Sequence, residues 1–339
     1  MVLDSLHRTC IRACFSQTLM IHISSRGLWR LTLQGLTNQF RDRLASGLVT
    51  QEVAAKYLKE VFQTARRLNP QDIKKNITAV SSGSLVLKWL QSTGLSHSSQ
   101  VIEDMQFTAN LTAHLVLENR HIEVRDWILS SLTVPEDIEK KWKKHVIINY
   151  INALIAQKEH PDVVVDRYCE LLESFKQSFP TNPKNKIRLF SFASYRLGLH
   201  LTSTKGYNVS ADAFYRFWNA YLPHADTRNL LQALLPLHAP GAADATIAVK
   251  HLMNYASGQW GLPEMDPMHI RKTLSTMCLD AANILIDKKK YKDASWVLSY
   301  ARTEFATELG IQQRHVSKTS APWLPSKVLE RRYGSLAFG

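Results

Sequence analysis

Clusters of basic side chains are the features of this sequence whose residue types and spacing best fit a chemical role. Lysine and arginine are concentrated at residues 140–144, at residues 184–196 and after residue 310. Ammonium and guanidinium groups in such clusters neutralise the phosphates of a nucleic acid. The side chains that we expect to contact phosphate are Lys140, Lys144, Lys186, Arg188, Arg331 and Arg332. The alternative is that each cluster is the solvated face of an ordinary helix.

A fourth basic cluster, Lys288–Lys290 with Lys292, lies between two acids. Asp287 and Asp293 flank it and partly balance its charge. The whole chain of 339 residues nevertheless carries 42 Lys and Arg against 29 Asp and Glu, a net charge of +13 at pH 7. An excess of this size indicates a polyanionic partner, a membrane surface or a compartment that selects for basic chains.

Catalytic and metal-binding signatures are missing from the sequence. It contains no dinucleotide-binding glycine motif, P-loop, zinc-protease helix, nucleophile elbow or EF-hand loop. His224 and Asp226 look like a pair, but Asp226 is better explained as a helix N-cap. We predict no catalytic residue, no cofactor and no metal.

The cysteines lack the spacing of a zinc site or a disulfide framework, and we interpret them as unpaired thiols in a reducing compartment; they are Cys10, Cys14, Cys169 and Cys278.

Four aromatic residues follow the period of a helix. Phe214, Phe217, Trp218 and Tyr221 are spaced as i, i+3, i+4 and i+7, which places them on one helix face. Such a face either stacks on unpaired bases or packs in a hydrophobic core. Core packing is the simpler interpretation.

The first 30 residues have the composition of a mitochondrial targeting leader. Their basic residues are all arginines, Asp4 is their one acid, and Ser and Thr recur among them. An amphipathic segment that is rich in Arg and Ser and poor in acids is typical of transit peptides. We expect residues 1–30 to direct the chain to the mitochondrial matrix. The alternatives are a native first helix of the fold and a short secretory segment at residues 13–23.

From about residue 40 onward, apolar residues recur at helical spacing, and no segment shows the alternation of a strand. Thr50 and Ser210 are suited to begin helices, and Gly94 and Gly310 to end them. The pattern predicts an all-α protein. We expect helices from Thr50 to Leu68, near 84–91, 107–115 and 121–132, from Pro135, from Pro161, and near 184–201, 211–222, 227–238, 243–257, 267–288 and 291–309.

Two segments resemble helical-repeat units. Residues 282–285 followed by 290–294 resemble the second half of a tetratricopeptide unit, in which a small residue such as Ala282 lets two helices approach closely. Residues 150–180 resemble a pentatricopeptide unit, although Val163–Val165 stand where that family has a small residue. The resemblance implies antiparallel helical hairpins stacked as an α-solenoid, as in divergent helical-repeat proteins of mitochondrial gene expression. An irregular multi-helix bundle is the alternative.

These observations divide the chain into three parts. We expect a leader at residues 1–30, a helical repeat-like domain at 39–310 with a hinge near 180–183, and a basic extended tail at 311–339. No apolar run is long enough for an integral membrane helix. The combination favours a non-catalytic factor that binds RNA or the mitochondrial ribosome. The alternative is a protein-binding scaffold, an assembly factor or a subunit of a mitochondrial complex.

Overall fold

The computed structural model of the chain describes residues 32–68, 71–132, 141–179, 188–203, 209–221, 230–259 and 267–311. All regular secondary structure in these ranges is helical, which confirms the all-α fold class. Residues 1–30, the hinge expected near 180–183 and nearly all of the basic tail lie outside the described residues. The stacking of helices as a solenoid is a finer statement and stays a prediction.

The helices have the following bounds. The first half of the chain forms α1 (32–45), α2 (Gln51–Leu68), α3 (Ile73–Val80), α4 (Ser82–Ser92), α5 (Ser99–Glu103), α6 (Met105–Leu117), α7 (His121–Ser131), α8 (Lys141–Ala156) and α9 (Pro161–Ser178). The second half forms α10 (Ser191–Ser203), α11 (Ala211–Tyr221), α12 (Leu230–Leu237), α13 (Thr246–Ala256), α14 (Pro267–Asp287) and α15 (Tyr291–Glu304). Short 3-10 turns occur at Leu95–His97 and Arg188–Phe190.

Local sequence explains several helix ends. The Thr50 hydroxyl accepts a hydrogen bond of 3.4 Å from the N–H of Val53, and the Ser210 hydroxyl accepts one of 3.1 Å from the N–H of Ala213. Each side chain satisfies a first-turn donor that has no partner within its helix. Gly94, just beyond α4, has a φ of +71°, the left-handed geometry that ends many helices. The predicted caps at Thr50, Ser210 and Gly94 are thus confirmed.

The chain divides into two compact units. Among the described residues, the first unit comprises those up to 159 and those from 170 to 193, and the second comprises 160–169 and those from 194 onward. Helix α9 contributes to both, since the boundary at Cys169 falls within it.

Helix α6 lies at the centre of the first unit. It contacts α2, α3, α4, α5, α7 and α8. Buried side chains occur around nearly its whole circumference, as in a helix enclosed by others; they are Phe107, Thr108, Leu111, Thr112, His114, Leu115, Val116 and Leu117. Helix α1, which the sequence pattern did not predict, packs on α2 through Phe40, whose ring stacks on that of Tyr57 at 4.2 Å.

The second unit contains the hairpin of α14 and α15. These helices contact each other extensively, and both contact α13. Ala282 and Ala294, the small residues of the segment that resembles a repeat unit, are both buried. At the open end of the hairpin, the Arg271 guanidinium hydrogen-bonds the Glu308 carboxylate and lies 5.3 Å from the centre of the Phe305 ring.

The aromatic face of α11 is part of the core of the second unit. Phe214, Phe217 and Tyr221 are buried, and Trp218 is half-buried. The Phe217 ring meets the Tyr168 ring edge to face at 5.5 Å. Core packing, the simpler of the two interpretations, is therefore the one that the structure supports.

Candidate functional site

The six residues predicted to contact phosphate have no described side chains. Lys144 lies in α8 and Arg188 begins a 3-10 turn, but the structure describes only their backbone. The other four, Lys140, Lys186, Arg331 and Arg332, lie outside the described residues. Their phosphate contacts therefore stay predictions.

A cationic surface that the sequence analysis did not single out lies on α2 and α3. Its members are exposed, and we call them the α2 cations: Lys56, Lys59, Arg66, Arg67 and Lys75. The opposite face of α2 is apolar and buried. The spacing of Lys56, Lys59, Arg66 and Arg67 could have been found in the sequence, because it complements the buried stripe of the same helix.

Most of the α2 cations have no acidic partner. Lys56 lies 3.8 Å from Glu60, whereas Lys59, Arg66, Arg67 and Lys75 form no ion pair with any described residue. The neighbouring Lys74 differs, because its ammonium lies 3.4 Å from Glu159. Residues 32–80 as a whole carry eight Lys and Arg against four Asp and Glu. The surface thus has an excess of positive charge that its own acids do not neutralise.

The length of this surface suits an extended polyanion. Lys56 and Arg67 are about 16 Å apart along the helix axis at the usual rise per residue. That distance equals the rise of about five nucleotides in one strand of a duplex. Lys75 adds an exposed charge on α3, which contacts α2.

A serine and a histidine in the first unit resemble a nucleophile and its base. Ser82 Oγ lies 2.7 Å from His114 Nδ1. Both residues are buried, with 0% and 1% of their surfaces exposed. Burial lowers the pKa of His114 to about 4, and the nearby Leu58 carbonyl offsets part of that shift. The Nε2 atom of His114 forms no hydrogen bond of normal geometry. A substrate cannot reach this pair without opening the core, so its geometry is that of a structural contact.

Glu118 completes this buried polar cluster. Its carboxylate accepts hydrogen bonds from the backbone N–H groups of Gly83 and Ser84, at 2.6 and 3.0 Å, and from the Ser84 hydroxyl at 2.7 Å. Burial raises its pKa, and these hydrogen bonds offset part of that shift. The carboxylate therefore caps the start of α4 and is engaged in the fold.

A shallow cleft of about 520 Å³ occurs in the second unit between the α12–α13 loop and α14. One of its lining residues, Lys288, donates a hydrogen bond of 2.5 Å to the Ala243 carbonyl and lies 3.8 Å from Asp244. Asp244 in turn accepts hydrogen bonds from the N–H and hydroxyl of Thr246 at the start of α13. Lys288 thus fixes a loop, and its charge is less accessible to a ligand than the sequence cluster suggested.

The described residues contain no group of three or more His, Cys, Asp or Glu that could hold a metal ion. Cys278 is buried, which raises its thiol pKa to about 12, and Cys169 is half-buried. Among the helices of the described ranges, none combines the length and apolarity that a membrane span requires.

Comparison with known proteins gives no relative. No protein-family model matches the chain, and no curated protein or solved structure is significantly similar to it.

Proposed function

We propose that the chain is a non-catalytic factor that binds RNA, or the RNA of a ribosomal particle, through its cationic surfaces. The observation that carries the proposal is the row of α2 cations, most of which form no ion pair within the described residues. Exposed, unpaired cations release the counterions of a nucleic acid when they bind its phosphates. The chain then acts by positioning RNA, and the net charge of +13 supports the same role.

The six residues predicted from the sequence extend this proposal. Lys140, Lys144, Lys186 and Arg188 would add phosphate contacts from the body of the chain, and Arg331 and Arg332 from its tail. Stacked helical hairpins would align such side chains along one surface, as in solenoid proteins. The all-helical fold is compatible with this arrangement, and a bundle around α6 is the alternative for the first unit.

The composition of residues 1–30 supports a mitochondrial site of action. Its four arginines, its recurring Ser and Thr residues and its lack of acids other than Asp4 are typical of a matrix-targeting leader. Imaging of the tagged full chain beside a chain without residues 1–30 tests this. The full chain should enter mitochondria and the shortened chain should not; identical distributions would contradict it.

RNA binding is tested with charge-reversal variants. The double variant Lys59→Glu/Arg66→Glu removes two α2 cations, and Lys88→Glu/Lys250→Glu changes the net charge equally at exposed lysines elsewhere. We expect the full chain to bind single-stranded RNA with an affinity that falls steeply between about 50 and 300 mM salt. The α2 variant should weaken binding at least tenfold and make the salt dependence shallower, while the control weakens it less.

Two results would contradict the proposal. The first is the absence of RNA binding at about 50 mM salt, where electrostatic attraction is strong. The second is an equal loss of affinity in both double variants, because net charge and not the α2 surface would then govern binding.

A second candidate function is a protein-binding scaffold. It is favoured by exposed apolar side chains on the last hairpin, among them Tyr291, which is 62% exposed. Partners that remain bound to the purified chain after nuclease treatment would support this function.

A further inference from the structure

The outer face of the α14–α15 hairpin carries exposed apolar side chains. On α14 these are Leu279 and Ile286, which are 41% and 43% exposed, and on α15 they are Tyr291 and Leu298, which are 62% and 41% exposed. The two residues of each pair are seven positions apart and therefore share one side of their helix. We call these four residues the apolar stripe.

The apolar stripe lies on the side of α14 that faces away from α12. Asp280, on the other side of α14, is 3.4 Å from His238 just beyond α12, and Ile284 lines the cleft beside the α12–α13 loop. Leu279 and Ile286 are separated from Ile284 by more than a third of a turn around the helix. They therefore project away from the neighbouring helices.

The stripe residues of α15 lie on the same outer side of the hairpin. On its inner side α15 carries the buried Tyr300, and the helix contacts α13. Tyr291 and Leu298 point away from Tyr300. Because the two helices pack against each other, the exposed apolar residues of both lie on the outer side of one hairpin.

Cations stand at both ends of the apolar stripe. Lys272 precedes Leu279 by seven residues and Arg302 follows Leu298 by four, which places both at the open end of the hairpin. Lys289 and Lys290 stand at the turn. All four are exposed and form no ion pair with a described residue, and we call them the rim cations.

The nearby acids do not neutralise the rim cations. Asp287 lines the cleft on the opposite side of α14, Glu308 is bonded to Arg271, and Glu304 lies close enough to Tyr300 and Arg271 to raise the pKa of each. The surface therefore combines an apolar centre with positive ends, which is complementary to an apolar helix face flanked by acids. The tail at residues 312–339 fits poorly, because it holds five Lys and Arg against one Glu.

We propose that the outer face of the α14–α15 hairpin is a docking site for an acidic amphipathic helix of a partner protein. The apolar stripe receives the apolar face of that helix, and the rim cations pair with Asp or Glu near its two ends. The site is independent of the α2 cations, so it does not rest on RNA binding by the chain.

Site-specific photo-crosslinking tests the proposal. A photoreactive phenylalanine analogue replaces Leu298 in the full chain, or Lys88 as an exposed control position, and the crosslinked peptide is sequenced by mass spectrometry. We expect position 298 alone to give an adduct with a segment of another protein that has apolar residues at helical spacing and flanking acids. An adduct with residues 312–339, with a second copy of this chain or with RNA would overturn the proposal, and so would the absence of a peptide adduct.

A binding measurement then tests the charges. A synthetic peptide of the crosslinked sequence is titrated with the full chain by fluorescence anisotropy. Leu298→Ser and Lys272→Glu/Arg302→Glu should each weaken binding at least tenfold, whereas Lys88→Glu/Lys250→Glu should leave it unchanged. All of these positions are exposed, so the variants should keep the wild-type circular dichroism. Equal binding by the two double variants would refute the role of the rim cations.

Discussion

The carboxylate of Glu118, just beyond the end of α6, accepts a hydrogen bond of 2.6 Å from the backbone N–H of Gly83 in the first turn of α4. The same carboxylate accepts from the N–H and the hydroxyl of Ser84. The start of a helix carries partial positive charge and donors without partners, so a carboxylate from another helix is favourable there. This contact connects two helices of the first unit through one side chain.

Replacement of Glu118 should therefore destabilise the first unit more than a surface acid does. Glu118→Ala leaves two N–H groups of α4 without their acceptor in a buried position, and we expect a loss of about 3 kcal/mol in the free energy of unfolding. Glu123→Ala is the control, because Glu123 forms a half-exposed ion pair with Arg120 and should cost less than about 1 kcal/mol. Urea unfolding measures both. Equal midpoints for the two variants would show that the cap is unimportant.

Gly83 permits the close approach that brings Glu118 to α4. A Cβ at this position would lie 2.9 Å from the Leu115 backbone nitrogen and 3.0 Å from His114 Cβ, so Gly83→Ala would push α4 away from α6. We expect a destabilisation of about 1–3 kcal/mol. At Gly35 in α1, a Cβ would meet nothing within 4 Å, and Gly35→Ala should stabilise the helix by up to about 1 kcal/mol. Thermal unfolding distinguishes the variants by opposite shifts in Tm.

Much of the helical pattern could be predicted from local chemistry. Helix α9 begins at Pro161, as expected for a residue without an N–H donor, and Thr50 and Ser210 are N-caps. Helix α1 was missed because its sequence lies next to a leader-like segment with the same composition. Helix α3 was missed because Pro70 indicated the end of one helix but not the start of the next.

The buried polar cluster could not be predicted, because its members are distant in sequence. Ser82 and His114 are separated by 32 residues, and Gly83 and Glu118 by 35. No local sequence pattern predicts these contacts, because they depend on how α4 packs against α6. The α2 cations, in contrast, follow from helical spacing alone, because they lie opposite the buried face of the same helix.

Acid should destabilise the first unit through His114. Its pKa in the folded chain is about 4, below the value of about 6.5 in an unfolded chain, because burial disfavours the charged ring. Below about pH 6.5 the unfolded chain takes up a proton that the folded chain does not, so stability falls from there towards pH 4 by about 3 kcal/mol at most. His114→Gln should show a smaller fall, measured by urea unfolding at several pH values.

Glu118 changes stability with pH in the opposite direction to His114, so the two contributions must be separated. Its folded pKa is raised, so its protonation favours the folded chain as the pH falls. The double variant His114→Gln/Glu118→Gln isolates the two contributions, since it lacks both titrating groups. If His114→Gln keeps the full acid sensitivity of the wild-type chain, the burial of an uncharged His114 is not its cause.

The Arg271–Glu308 pair, in the second unit, should lose its contribution to stability as the pH falls, which is opposite to the effect of Glu118. The Arg271 guanidinium hydrogen-bonds the Glu308 carboxylate and lowers its pKa below the ordinary value. Such a pair stabilises the folded chain above the unfolded pKa of about 4.3, and its contribution is lost as the pH falls through the lower folded value. We expect the Glu308 carboxyl, followed by NMR titration, to return to an ordinary pKa in Arg271→Gln and to keep its lowered pKa in Lys272→Gln. Because the Glu308 carboxylate is close to solvent, about 1 M salt should reduce the shift of its pKa in the wild-type chain. A pKa that stays lowered both in Arg271→Gln and in high salt would mean that a group other than Arg271 lowers it.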